Sequence, residues 1–198
     1  MTYLKTFLTG SAALGLAAML ACGGGGGGGA TAPAPAPTAT SLSYTDPTSG
    51  SYLLKKNTAL STATHLVLDL VGPASGTGSG ITATFSADAT RVAWANVSAA
   101  DPTGTFIQNG TAFNLGTAPL ILKGKVSGGT LQVTAAQKGT GSPVALGAPL
   151  LRVALDLYAS QPPGSVTLAA DTTRCQVLDG TGTIVAPITV TVGTLAAQ

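Results

Sequence analysis

The sequence predicts an all-β domain: an antiparallel jelly-roll or Greek-key β-sandwich of about nine strands, preceded by a signal peptide and a flexible linker. Three observations predict it. Apolar residues alternate with polar ones at period two in one short segment after another, as in strands with one buried face. Glycine- and proline-rich turns separate these segments, and no stretch carries a helical apolar stripe. Charged residues are only 8% of the chain, with no glutamate among its seven acids. An ordinary soluble domain carries about 25%. Threonine, serine and glycine supply the polarity instead, an association typical of exported β-proteins. The net charge of +2 includes Lys5, and no basic stripe marks a nucleic-acid footprint.

The chain divides into three segments, residues 1–21, 22–40 and 41–198. Residues 1–21 read as a signal peptide: Lys5 without an acid, then an apolar run over residues 7–20. That run falls short of the roughly 20 apolar residues that span a bilayer. It ends in Met19-Leu20-Ala21-Cys22, which resembles the lipobox of bacterial lipoproteins, with Met19 where leucine is usual. The resemblance implies lipidation of Cys22 and a membrane partner through that lipid. Residues 23–40 then form a tether. Glycine chains are flexible coils, with an end-to-end distance of roughly 5–6 Å times the square root of the residue count. Pro33, Pro35 and Pro37 stiffen the part that follows. Cleavage near Ala21 by ordinary signal peptidase, giving a soluble exported protein, is the alternative. If Cys22 carries lipid, Cys175 has no disulfide partner and is expected to be a small buried hydrophobe.

Residues 41–198 form the sandwich. Leu66, Leu68 and Leu70 alternate with Val67, Asp69 and Val71. Ile81, Ala83 and Phe85 form the next apolar row, and Val92 and Trp94 share a face opposite Arg91 and Ala93. Leu131, Val133 and Ala135 alternate with Gln132, Thr134 and Ala136. Leu151, Val153, Leu155 and Leu157 alternate with Arg152, Ala154, Asp156 and Tyr158. Val166 and Leu168, then Cys175 and Val177, then Ile188, Val190 and Val192 complete the set. Asp46-Pro47-Thr48-Ser49-Gly50, Gln161-Pro162-Pro163-Gly164 and Asp179-Gly180-Thr181-Gly182 are turns, set by the fixed φ of proline and the positive φ open to glycine. Trp94, Phe85 and the leucine rows are the expected core.

Three of these stretches resemble the cohesin domain, a jelly-roll sandwich related to family 2 and family 3 carbohydrate-binding modules. They are His65-Leu66-Val67-Leu68-Asp69-Leu70, the run over residues 81–97, and the C-terminal series of a strand over residues 150–157, an Asp179-Gly180 turn and a closing strand over residues 182–192. In the second, Ala89 stands where the family's turn has proline. The resemblance implies a non-catalytic binding module: cohesins bind dockerins through a sheet face, and related modules bind polysaccharide. It carries over no contact residue, because residues 99–129 depart from the pattern.

The residues give little for catalysis. His65 is the single histidine, no Gly-x-Ser-x-Gly elbow nominates a serine, and the glycine-rich residues 76–80 lack the lysine of a phosphate loop. The aspartates are scattered, without the close alternation of a calcium loop. His65 and Asp69 share a strand face but stand about 13 Å apart by the strand rise, too far to share an ion. No cofactor, metal site or catalytic residue is expected. Sugar binding calls for exposed aromatic platforms, and alternation turns only Tyr158 outward. The expectation is therefore a lipid-anchored envelope protein, in the outer membrane or at the cell surface. It presents a module for a protein partner, dockerin-like or another envelope protein. The alternative is polysaccharide. The candidate contact face is Arg152, Asp156 and Tyr158.

Overall fold

The computed structural model describes residues 34–115, 121–137, 142–179, 181 and 183–198. The chain falls into two units, Met1–Pro35 and Ala36–Gln198, and every described strand belongs to the second. The expected signal peptide, Cys22 and most of the expected tether lie outside the described residues. The folded unit starts just ahead of residue 41: Ala39 is buried and donates its N–H to Gln161 O, and the N–H groups of Thr40 and Ser41 both reach Gln198 O.

Among the described residues the chain is built from strands alone. β1 (Leu42–Thr45), β2 (Tyr52–Lys56), β3 (His65–Val71) and β4 (Thr77–Gly78) open the domain. β5 (Gly80–Ala87), β6 (Val92–Ala95), β7 (Gln108–Asn109), β8 (Leu122–Ser127) and β9 (Thr130–Ala136) follow. β10 (Val144–Ala145), β11 (Pro149–Leu157), β12 (Gly164–Val166) and β13 (Leu168–Ala170) lead into β14 (Gln176–Leu178), β15 (Ile184–Pro187), β16 (Val190–Thr191) and β17 (Thr194–Ala197).

Two main sheets form. The first runs β16–β2–β3–β11–β6, with β7 also on β11. The second runs β15–β14–β5–β9–β8, with β13 also on β5. Two short ladders, β1–β17–β12 and β10–β4, form separately. All pairings are antiparallel except β16 with β2. The expected sandwich is therefore present. The single closing strand over residues 182–192 is not: it splits into β15 on the second sheet and β16 on the first, with the chain crossing between them after Pro187.

The alternation explains the core. Leu66, Leu68 and Leu70 of β3 are fully buried, as are Ile81, Ala83 and Phe85 of β5 and Leu151, Val153 and Leu155 of β11. Burying a side chain of this size contributes about 1.5–3 kcal/mol. Phe85 of the second sheet meets Trp94 of the first, ring centroids 6.2 Å apart. Trp94 Nε1 donates to Gly129 O at 2.8 Å, giving its buried polar edge a partner. Gly128, beside it in the β8–β9 turn, has φ +57, a conformation open to glycine at little cost. Cys175 is buried as expected, and that burial pushes its thiol up from its ordinary range. Tyr44 is buried too; its hydroxyl donates to Leu54 O and accepts from Gly193 N, and desolvation pushes its pKa up to about 12.

Candidate functional site

The outer surfaces of the two sheets are furnished differently. On the first sheet, the charges of β3 and β11 close in pairs across neighbouring strands, while Lys55 and Lys56 of β2 have no side-chain partner among the described residues. Register places Arg152 opposite Asp69 and Asp156 opposite His65. Arg152 Nε meets Asp69 Oδ1 at 2.9 Å, and Asn57 Nδ2 donates to the other oxygen of Asp69 at 2.9 Å. His65 Nδ1 meets Asp156 Oδ1 at 2.5 Å, and its Nε2 lies 3.2 Å from Val97 O. The segment after β6 folds over this surface. Val97 buries Ala154 and Val67, which alternation turns outward, in a small second apolar cluster. Of the three residues nominated from the sequence, Arg152 and Asp156 are thus engaged in binding β11 to β3. Asp156 remains exposed while paired with His65, and Tyr158, 43% exposed, has no such partner among the described residues.

On the second sheet the outward residues of β14, β5, β9 and β8 align in rows that cross the strands. Gln176 stands opposite Thr82, Thr82 opposite Thr134, and Thr134 opposite Lys123. The next row is Thr84, Gln132 and Lys125. Thr134 Oγ1 donates to Thr82 Oγ1 at 3.1 Å, and Thr82 Oγ1 donates to Val133 O at 3.1 Å. The rows floor a shallow depression of about 670 Å³. The β13–β14 turn walls one side with Thr173 and Arg174, and the loop at Gly104 and Thr105 walls part of the other.

Local chemistry sets both walls. Asp171 Oδ1 accepts from the amide and the hydroxyl of Thr173, at 3.0 and 2.6 Å. The hydroxyl contact is the main cause that holds the Asp171 carboxyl below its ordinary range. Arg174 Nε stays 3.8 Å from Asp171, with its head in solvent. The same Asp-x-Thr turn recurs at Asp88 with Thr90 and at Asp179 with Thr181. Asp179 Oδ1 also takes the Thr183 amide, so this carboxylate is occupied by three donors. On the opposite wall the loop approaches β8 closely: a Cβ on Gly124 would lie 2.6 Å from Thr105 O. Phe106 in that loop has φ 56, a strained value for a bulky residue, with its amide on Asn96 Oδ1 at 3.1 Å.

This surface can hydrogen-bond and attract, but it holds no reacting pair. Among the described residues neither a carboxylate nor an aromatic ring lines the depression. Among the described residues no cluster of three or more His, Cys, Asp or Glu could hold a metal ion. Lys123 and Lys125 escaped the sequence reading because β8 has few apolar residues to alternate. Their signal was present in Lys123-Gly124-Lys125 ahead of Ser127-Gly128-Gly129-Thr130, a lysine-bearing edge strand entering a hairpin turn.

No family model matches the chain, and no curated protein does. Solved structures do. The second type II cohesin module from an adaptor scaffoldin of Acetivibrio cellulolyticus matches with a TM-score of 0.52 at 13% identity, over 72% of this chain and 86% of that one. A cohesin–X–dockerin complex of type II from the same organism, an N-terminal interface mutant, matches with a TM-score of 0.51 at 12% identity, over 71% of this chain and 95% of that one. At these identities the likeness is one of fold. The domain is a β-sandwich with the cohesin fold, as its sequence resemblance implies.

Proposed function

We propose that this chain is a lipid-anchored protein of the bacterial cell envelope whose cohesin-fold domain is a non-catalytic module for a protein partner. The docking face is the outer surface of β14, β5, β9 and β8. One observation carries the reading: two rows of hydroxyl and amide groups cross those strands, with Thr84 buried and Thr82, Thr134, Gln132 and Gln176 reaching solvent, beside Lys123 and Lys125, which have no partner among the described residues. That surface offers hydrogen bonds in a fixed array and nothing to carry out a reaction. The cohesin-fold neighbour in a complex with a dockerin supports a dockerin-like or other envelope protein as the partner. A polysaccharide fits less well, since among the described residues no aromatic ring lines the depression to stack on a sugar. Cys22 carries the lipid, and residues 23–40 give the domain its reach from the membrane.

Two variants in the native host test this. Intact mass and membrane partitioning are expected to show acyl chains on Cys22 and release of Cys22→Ala; an unmodified soluble chain would overturn the anchor. Thr134→Arg, in the middle of the rows, is expected to abolish capture of a partner that the unaltered chain holds, at unchanged melting temperature. Glycan binding that Tyr158→Ala destroys and Thr134→Arg spares would replace the protein-binding reading.

A further inference from the structure

We infer that the docking face selects an acidic partner: a helix carrying two carboxylates one turn apart along one flank and a further carboxylate on the other. The inference rests on the proposed use of this face. It starts from the charge inventory. All seven acids of the chain are aspartates with places in the described structure. Each is held by an internal donor: Lys56 N at Asp46, Arg152 at Asp69, Thr90 at Asp88, Gln108 at Asp101, His65 at Asp156, Thr173 at Asp171 and Thr181 at Asp179. None lines the depression. Arg91 and Arg152 are likewise spent internally, on the Ser165 and Pro162 carbonyls and on Asp69. Lys55 and Lys56 on β2 have no side-chain partner among the described residues either, but of these lysines Lys123 and Lys125 alone line the depression. Both are exposed, and neither makes a hydrogen bond or ion pair among the described residues.

Geometry turns that charge into a pattern. Two residues apart on one strand face, Lys123 and Lys125 are separated by about 6.6 Å at a rise of about 3.3 Å per residue. Helical residues four apart rise about 6 Å and share a flank. A helix lying along β8 therefore sets carboxylates at i and i+4 against the two lysines. The far wall is Arg174, beside β14. Strands lie about 4.8 Å apart, so three spacings put β14 about 14 Å from β8. A helix about 10–12 Å across fits between the walls. Thr82, Thr84 and Thr134 leave a low floor that favours small or hydroxyl-bearing residues on its underside. A second copy of this chain cannot be the occupant, because its own carboxylates are engaged and it has no described helix.

Lysines on an edge strand also deter strand-to-strand aggregation, and that role alone requires charge of either sign. The double variant Lys123→Glu/Lys125→Glu keeps edge charge and reverses the attraction, so it separates the two roles. The probes are a pair of alanine- and serine-faced helical peptides, one with glutamate at the three flank positions and one with lysine there. Each is titrated into the isotope-labelled full chain. The glutamate peptide is expected to shift the amides around Thr82, Gln132 and Thr134. Its affinity should fall about tenfold or more in the double variant, and also as ionic strength rises from about 20 to about 300 mM. The lysine peptide should leave the face unmoved. Equal binding of both peptides, or shifts mapping to the β3–β11 surface, would overturn the inference. So would shifts produced by an oligogalacturonate but by neither peptide, which would assign the face to an acidic glycan. A host partner lost by Thr134→Arg but held equally by Lys123→Glu/Lys125→Glu would sink the acidic partner and leave the docking face standing. A partner indifferent to both variants would sink the docking face as well.

Discussion

The outer face of β3 and β11 and the outer face of β5 and β9 arise from the same kind of strand, apolar inward and polar outward, yet they end in opposite states. On the first, Arg152 meets Asp69, His65 meets Asp156, and Val97 seals Ala154 and Val67 from water. On the second, Thr82, Thr134, Gln132 and Gln176 reach solvent above a buried Thr84, and Lys123 and Lys125 meet no acid among the described residues. Charges closed in register hold a sheet together. Charges left without partners beside a hydrogen-bonding floor remain for something else to meet. The contrast separates residues that look alike in sequence: Arg152 and Lys125 are both outward cations on strands, and only the second is available.

The largest expected effect removes the contrast altogether. Phe85 is fully buried and is the ring through which the second sheet meets Trp94 of the first. Phe85→Ala is expected to cost about 3–5 kcal/mol. Both faces share this core, so they should melt together in one denaturant transition seen by Trp94 fluorescence and by amide exchange on β9. Separate transitions for the two sheets would show that they do not share a cooperative core. A smaller effect sharpens the contrast. Arg152→Ala leaves Asp69, whose side chain is only 13% exposed, with Asn57 as its remaining partner. The expected loss is about 1–3 kcal/mol of stability. Binding at the other face should be unchanged. A variant that folds as well as the parent but loses its partner would move the contact surface to β11.

What was legible in the sequence follows the same division. Period two exposed β3, β5, β9 and β11, because each buries one full face and the apolar residues record it. Trp94 and Phe85 were correctly turned inward, and Tyr158 outward. Periodicity says nothing of what lies over an outward face, so Ala154 and Val67 read as solvated although Val97 covers them. Nor does it register cross-strand partners: Asp69 finds its cation on β11, eighty-three positions away, rather than along its own strand. β8 was missed because an edge strand with lysines and a glycine leaves little apolar record. The docking rows are the least legible feature of all. Gln176, Thr82, Thr134 and Lys123 come from four strands, and only register brings them into line.

The smallest expected effect tests whether the open face depends on its own wall. Thr173 holds the Asp171 carboxyl below its ordinary range, through its hydroxyl first and then its amide. A carboxyl whose folded pKa is depressed contributes stability that is complete above its unfolded value and lost as pH falls through the folded one. Asp171 is solvent-exposed, so the global effect is slight and the useful readout is local. The turn places Arg174 at the edge of the depression. Below the unfolded carboxyl value of 3.8, the Thr173 amide shift and the mobility of residues 171–174 should change together. The β3–β11 face contains Asp156 and Asp69 but no Asp-x-Thr turn, so its amides near Val67 serve as the internal reference. Asp171→Ala should show the loosened turn at neutral pH and weaken binding of an acidic partner by displacing Arg174. If that variant kept the turn ordered and the affinity intact, Arg174 would be no part of the site, and the open face would reduce to its lysine edge and threonine floor.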